Sequence, residues 1–409
     1  MNLDQDQSSN SKKSDSSIGI SSLNRRKFIY SIAASSAALY LTGCEKNPNT
    51  PLEVRKIIPP RLDTAYLGQE ILCYRPLRKG APNMSFKIIG EQVIGHNYGH
   101  GGSGWTLAPG CSKYVIGLVE GQKAKVIDKN APVTVIGGGI LGLFTAYELI
   151  NRGYTKLTIV AASYDNLTSH NAGGLIAPVS MSNDPQLQPL IDQIGIDAYK
   201  FYEQISKGLQ ADFKKGAVIV PTYFENREDS GLEPYVGKVM QPAKDVMLDF
   251  GNGTQRRMVS YDDGIFVDTA IMMKSLRDYL TPKVTFVTQK IDKLSDITSP
   301  LIFNCTGLGA FNLNNDAEVA PVQGHLIMLK DQVPANLQYM LLVYFNNATT
   351  TAGQEVKRSL YLFPKQLLNT PVNDIGVLGG TFIENATPNT PNLEEFKIMV
   401  DNAKKFYGI

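Results

Sequence analysis

Apolar positions are spread unevenly along the chain. The first twenty residues are rich in Ser, Asn, Asp and Lys, with almost no apolar content, the composition of a segment that does not fold on its own. A moderately apolar run follows at 28–41, shorter than the roughly 20 residues that a bilayer-spanning helix needs. Residues 45–61, with Asn47-Pro48-Asn49-Thr50-Pro51 and Pro59-Pro60, read as a surface tether. The strongest pattern begins at Val133. Val133–Ile136 is a β-branched run suited to a strand buried on both faces. A helix follows, Gly153 closes it as a glycine just past a helix end should, and 157–160 is a second apolar strand. Elsewhere 111–120 is apolar at helical spacing, 180–214 is helical in pattern, and 217–263 mixes short strands with Gly and Asn turns. Residues 267–280 predict a helix, 284–291 a strand and 301–304 a buried strand. An amphipathic helix over 392–408 has Thr390 as N-cap, Pro391 in its first turn and Gly408 past its end.

The turn between the first strand and its helix carries candidate chemistry. Gly137, Gly139 and Gly142 give the spacing G-x-G-x-x-G where strand passes into helix. Gly137 permits the tight turn, Gly139 lets a pyrophosphate approach the backbone, and Gly142 lets the helix lie close on the strand. The helix N-terminus then offers free N–H groups to the anion. A purely structural turn can produce the same spacing; the flanking strands favour a dinucleotide site. The usual acidic ribose partner belongs near Ala161 and Ala162, and neither is acidic.

Length and charge narrow the class. The 409 residues allow two or three domain-sized units with an ample core, and a net charge of +2 leaves no footprint for nucleic acid. Ser22-Leu-Asn-Arg25-Arg26-Lys-Phe-Ile29 places a twin arginine before the apolar run, which ends at Leu41-Thr-Gly-Cys44. This resembles a twin-arginine export signal fused to a lipoprotein box, with Cys44 as the lipid-bearing residue and a periplasmic or cell-surface location. A short anchor or buried helix is the alternative, disfavoured by the length of the run. Cys73, Cys111 and Cys305 then remain, an odd number without metal-like spacing or a disulfide framework. Cys305 reads as a small core hydrophobe rather than a nucleophile. His96, His100, His170 and His325 likewise lack metal spacing and read as structural.

Gly99, Gly101, Gly102 and Gly104 make a loop whose backbone can approach a flat ligand closely. The full stretch, His96-Asn-Tyr-Gly-His-Gly-Gly-Ser-Gly-Trp-Thr106, closely resembles the flavin-binding signature of the D-amino-acid oxidase family. Asn171-Ala-Gly-Gly-Leu-Ile-Ala-Pro178 resembles the segment beside the flavin ring, and Phe303-Asn-Cys-Thr-Gly307 the second glycine-rich strand end. Arg75-Pro76-Leu-Arg78 is similar to the substrate arginine motif, and Ser359-Leu-Tyr361-Leu-Phe-Pro364 to the active-site tyrosine segment. These motifs cover most of the chain from about Leu72 onward.

The resemblance implies an α/β fold: a Rossmann-like FAD-binding domain over 85–181 and 266–318, and a mixed-sheet α+β substrate domain over 62–84, 182–265 and 319–409. It implies FAD held by Gly137, Gly139, Ile140, Leu141 and Gly142, by Thr168 and Ser169, by Gly173, Gly174 and Leu175, and by Ile291 and Thr306. Gly101, Gly102, Ser103, Gly104, Trp105 and Thr106 complete that set. Arg75 would clamp the substrate carboxylate, Tyr361 would donate to it, and the carbonyl of Gly102 would take the amine, with no residue acting as acid or base and no metal. The motif order departs from the family, in which the nucleotide fingerprint opens the chain and the arginine and glycine-loop motifs close it. The chain therefore looks circularly permuted, with 121–132 as the join, or else its N-terminal motifs serve another subunit. Lys357 replaces a second active-site tyrosine, and either favours acidic substrates or points to solvent; Ala177 and Ala162 replace polar family positions. Three activities are consistent with this: oxidation of D-amino acids with O2 as acceptor, a flavin dehydrogenase of glycine-like or N-methyl amino acids passing electrons to a quinone, and a binding module that has lost its cofactor.

Overall fold

The computed structural model describes residues 51–409, so the twin arginine, Cys44 and the first part of the expected tether lie outside the described residues. Two sheets take most of the strands. The smaller has six, in the order Thr285–Thr288, Leu157–Ala161, Val133–Ile136, Leu301–Asn304, Gln92–Tyr98 and Asn83–Ile89. Its pairings are parallel apart from the last. Every residue of the β-branched run Val133–Ile136 is buried, as a strand covered on both faces requires, and Thr134 pairs its hydroxyl with that of Ser299 at 2.7 Å. The helix Ile140–Asn151 follows it and packs against the helix Gly104–Gly121. Gly153 takes a φ of +86° just beyond the helix end.

The larger sheet runs Glu53–Lys56, Lys244–Asp249, Gln255–Tyr261, Thr222–Phe224, Met340–Tyr344, Glu355–Gln366, Ile375–Glu384, Val319–Leu329 and Leu67–Arg78, with Ala348–Thr349 paired off to one side. Alternation sorts its two faces, with register shifts in three of its pairings. Along Glu355–Gln366, Leu360 and Leu362 pack on Phe396, Met399 and Ala403 of the helix Glu394–Tyr407, whereas Tyr361 and Phe363 face the opposite way. The helix is fastened by a bidentate pair in which Arg358 donates from Nε and Nη2 to Glu395, both at 2.7 Å, with Glu395 fully buried.

Residues ahead of the nucleotide fingerprint enter both sheets of the same chain. Leu67–Arg78 closes one edge of the larger sheet, antiparallel to Val319–Leu329, and Gln92–Tyr98 lies parallel to Leu301–Asn304 inside the smaller one. Ile409 sits with Arg61, Asp63 and Tyr66 around one surface depression, and Lys404 Nζ lies 3.5 Å from Asp63. The chain's end thus adjoins the lead-in to Leu67–Arg78. Residues 52–409 form one compact unit, and no described helix is long and apolar enough to cross a membrane.

Several expected boundaries move. Within the stretch read as a tether, Glu53–Lys56 is an edge strand parallel to Lys244–Asp249, held by Arg55, which donates from Nη1 to Asp262 Oδ1 at 2.6 Å and to Ser260 Oγ at 2.8 Å. The helix expected at 111–120 starts at Gly104 and carries Pro109 inside it. A proline there leaves the carbonyl four residues back without its donor. The hydroxyl of Tyr202 supplies it, donating to Trp105 O at 2.8 Å. The last helix begins at Glu394, not at 392, because the Thr390 hydroxyl bonds the carbonyl of Thr387 instead of capping. The helical pattern over 180–214 narrows to Gln188–Ser206, the strand expected at 284–291 narrows to Thr285–Thr288, and the helix expected from 267 is Thr269–Leu280, capped by Asp268.

Candidate active site

The strand ends of the smaller sheet and the inner face of the larger one enclose a cavity of about 740 Å³, a volume typical of a ligand site. Gly137, Gly139, Ile140 and Leu141 line it from the fingerprint turn. Gly137 has φ +124°, and a Cβ there would lie 2.4 Å from Cys305 O. Gly142 does not line the cavity: a Cβ at 142 would lie 1.9 Å from Gly137 O, so this glycine lets the helix close onto the turn. Ser169 Oγ accepts from the N–H of Ile140 at 3.0 Å, and Trp105 Nε1 donates to Ser169 O at 2.9 Å. The short turn Thr168–Asn171 is thereby docked on the fingerprint.

The glycine loop forms the adjoining wall. Gly101, Gly102, Gly104 and Trp105 line the cavity, whereas Ser103 and Thr106 stand behind it and hold the segment before Met181. Ser103 Oγ donates to Val179 O at 2.6 Å, and Thr106 Oγ1 donates to Ala177 O at 2.8 Å while accepting from Ala177 N at 3.2 Å. Thr168, Gly173, Gly174, Leu175, Ile291 and Thr306 all reach the lining. Ala161 and Ala162 line the wall together with Ser163, Gln289 and Asp292, polar groups that sequence reasoning did not single out. They follow strand ends whose registers only the folded sheet reveals.

Arg75 and Tyr361 meet on the lining of this cavity. The guanidinium lies over Gly324, where a Cβ would come within 2.6 Å of Nη2, and Nη1 donates to Thr381 O at 2.9 Å. The Tyr361 ring stacks on Phe363 at 4.7 Å and fills the space above Gly379 and Gly380, where a Cβ on either would touch it. Burial pushes the Tyr361 hydroxyl up to about 12, opposed by the charge of Arg75, so it remains a donor at neutral pH. Behind Arg75, the Thr381 hydroxyl lies 2.6 Å from His325 Nδ1, and His325 Nε2 lies 2.9 Å from Pro391 O. A carbonyl can only accept, so Nε2 carries the proton and Thr381 donates to Nδ1. No local sequence signal marked Thr381.

The remaining titratable candidates are inert. Burial pushes the Cys305 thiol up to about 12 and lowers His100 to about 3 and His96 to about 4, so none is charged near neutrality. Among the described residues no group of three or more His, Cys, Asp or Glu could hold a metal ion.

The family model described as FAD dependent oxidoreductase matches residues 132–408. The chain belongs to this family. Over 274 residues it is 27% identical to the D-amino-acid oxidase of Dictyostelium discoideum, covering 64% of this chain and 69% of that one. Over 211 residues it is 26% identical to the D-amino-acid oxidase of Streptomyces coelicolor, covering 50% of this chain and 61% of that one. Against these relatives the chain thus spans about two thirds of their length or less. The glycine oxidase of Geobacillus kaustophilus aligns over 68% of this chain and 80% of its own, at 15% identity and a TM-score of 0.47.

The protein is therefore an FAD-dependent oxidoreductase. Its residues fit the cofactor: four glycine-bearing segments, at 101–104, 137–139, 173–174 and 307–309, line one cavity, and a Cβ at Gly101, Gly137 or Gly174 would collide with neighbouring backbone. The fingerprint turn, which opens the helix Ile140–Asn151, presents a helix N-terminus suited to a pyrophosphate.

Proposed function

We propose that this FAD-dependent oxidoreductase deaminates D-amino acids oxidatively, giving an imino acid that hydrolyses to a 2-oxo acid and ammonia, with O2 reduced to hydrogen peroxide. The chemistry that FAD would supply when bound is a two-electron acceptor for the hydride of the substrate α-carbon. The chain's task is orientation, holding that carbon within roughly 3–3.5 Å of its acceptor. Arg75, steadied by Thr381 O, presents its planar fork to the carboxylate, the protonated Tyr361 donates to the same group, and the Gly102 carbonyl receives the amine. The observation that carries this reading is that Arg75 and Tyr361, far apart in sequence, line one cavity with the FAD fingerprint. The D-amino-acid oxidases among the relatives support the substrate class.

Anaerobic mixing with a panel of D- and L-amino acids tests it. Bleaching of the flavin by D-amino acids and prompt recovery in air is the expected result, and no bleaching by any D-amino acid overturns it. Bleaching by glycine or N-methyl amino acids, with recovery by a quinone and not by air, marks the dehydrogenase instead.

The same reading includes a circular permutation. Its supports are the family match beginning at residue 132, the intrachain pairing of both N-terminal motif strands, and the closeness of Ile409 to residues 61–66. It also divides the chain into the two domains given above, each centred on one sheet, and includes twin-arginine export with a lipid anchor at Cys44, supported by Arg25, Arg26 and the Leu41–Cys44 box.

A further inference from the structure

We infer that the site selects amino acids bearing a second anionic group, and that Lys357 is the residue that selects them. This rests on the amino-acid reading above. The charged side chains lining the cavity are Arg75, Lys290, Asp292 and Lys357. Lys290 and Asp292 pair with each other at 2.7 Å, far along the wall that follows Thr285–Thr288. Arg75 and Lys357 are left, and among the described residues neither has a carboxylate within 4.0 Å. Two uncompensated cations in one cavity attract anions and repel a basic substrate side chain.

Their placement suits a short amino dicarboxylic acid. Lys357, Ser359, Tyr361 and Phe363 alternate onto the cavity face of one strand, while Arg358 and Leu360 turn to the helix behind. Lys357 lies four residues from Tyr361 along Glu355–Gln366, across a register shift between Arg358 and Tyr361, at most about 13 Å between Cα atoms at the rise of a strand. Its flexible stem spans part of that gap. Its Nζ lies 5.4 Å from the ring centroid of Phe382, itself a lining residue, so the ammonium is held at the rim. With the α-carboxylate on Arg75, the side-chain carboxylate of an aspartate or glutamate is directed along this face toward Lys357, past Ser359 and Tyr344 and past no acidic group.

The test compares acids with their amides, aspartate with asparagine and glutamate with glutamine, in the D series. An exposed-rim charge-assisted contact predicts a preference of about tenfold for the acids in kcat/KM. Lys357→Met should remove the preference through KM rather than kcat, Lys357→Arg should keep it, and added salt should shrink it. A readout free of turnover is the perturbation of flavin absorbance by succinate against butyrate, with succinate bound more tightly by the native protein and not by Lys357→Met. If no amino acid reduces the flavin, the oxidase reading fails while the succinate comparison still decides the role of Lys357. Equal acid-to-amide and succinate-to-butyrate ratios in native and Lys357→Met proteins overturn the inference.

Discussion

Lys365 gives the sharpest quantitative expectation. It lies in Glu355–Gln366 with no exposed surface, and its ammonium donates to the carbonyl of His170 at 2.9 Å and to the hydroxyl of Thr269. Burial lowers its pKa from 10.5 to about 8, with Asp268 acting in the opposite direction. Below about pH 8 both folded and unfolded chains hold the proton, and the fold bears the full burden of a buried charge. Between about 8 and 10.5 the folded chain has released the proton while the unfolded chain still binds it, so stability rises with pH through this window. At about 1.36 kcal/mol per pKa unit, the gain amounts to roughly 3 kcal/mol. The assay is urea unfolding of the holoprotein and of Lys365→Met, with FAD in fixed excess, near pH 7 and near pH 10. Methionine keeps the length and removes the charge. The orphaned His170 carbonyl lowers the variant's stability by about 1 kcal/mol at every pH. The buried tyrosines titrate alike in both proteins, so they cancel in the difference. Relative to the variant, the native protein should gain roughly 3 kcal/mol from neutral to alkaline pH; parallel curves for the two proteins would refute the assignment of a neutral-leaning buried lysine.

Further expectations concern the site and the signal. Arg75→Ala should raise KM for a D-amino acid on the order of 100-fold with flavin content little altered, since a charge-assisted contact is worth about 1.5–3 kcal/mol; native kinetics would remove Arg75 from substrate binding. Gly142→Ala drives a methyl to within 1.9 Å of Gly137 O, and should give protein depleted of FAD or failing to fold; a full flavin-to-protein ratio with native thermal stability would contradict the packing argument. Glu395→Gln strips the buried partner from Arg358 and should lower unfolding stability by about 3 kcal/mol, the lower bound for breaking a buried pair; a loss below about 1 kcal/mol would show the pair to be screened. Replacing Arg25 and Arg26 by Lys should block export, and Cys44→Ser should release an unanchored exported form; cell fractionation reads both, and the double-Lys protein at the outer membrane face would rule out the signal.

What the sequence made legible was local. Val133–Ile136, Gly137 to Gly142 and Gly153 announce strand, turn and helix because the burial pattern and the backbone demands all lie within neighbouring residues. The motif set also brought Arg75 and Tyr361 to one cavity. Missed features depend on partners remote in the chain. Gly104 and Pro109 look like helix breakers until Tyr202 donates to Trp105 O. Glu53–Lys56 has no strand-like alternation, its residues being mostly exposed, and exists through Lys244–Asp249 and Arg55. Ser103 and Thr106 fall within the glycine-loop motif, yet their hydroxyls serve the backbone of Val179 and Ala177. Thr381 matters through a carbonyl and a hydroxyl facing Arg75 and His325, and neither contact has any signature in the residues beside it.

The edge strand Glu53–Lys56 also determines how the fold carries mechanical load. A force applied at Glu53 would load this short strand, which lies parallel to Lys244–Asp249 and is latched by Arg55 to Asp262. A pull along the strand shears all its inter-strand bonds at once, whereas a pull across it peels them one by one, so resistance depends on direction. The strand forms one edge of the larger sheet, and Leu67–Arg78 with Arg75 forms the other. A load applied at Glu53 therefore meets the sheet at the edge opposite Arg75, with seven strands between them.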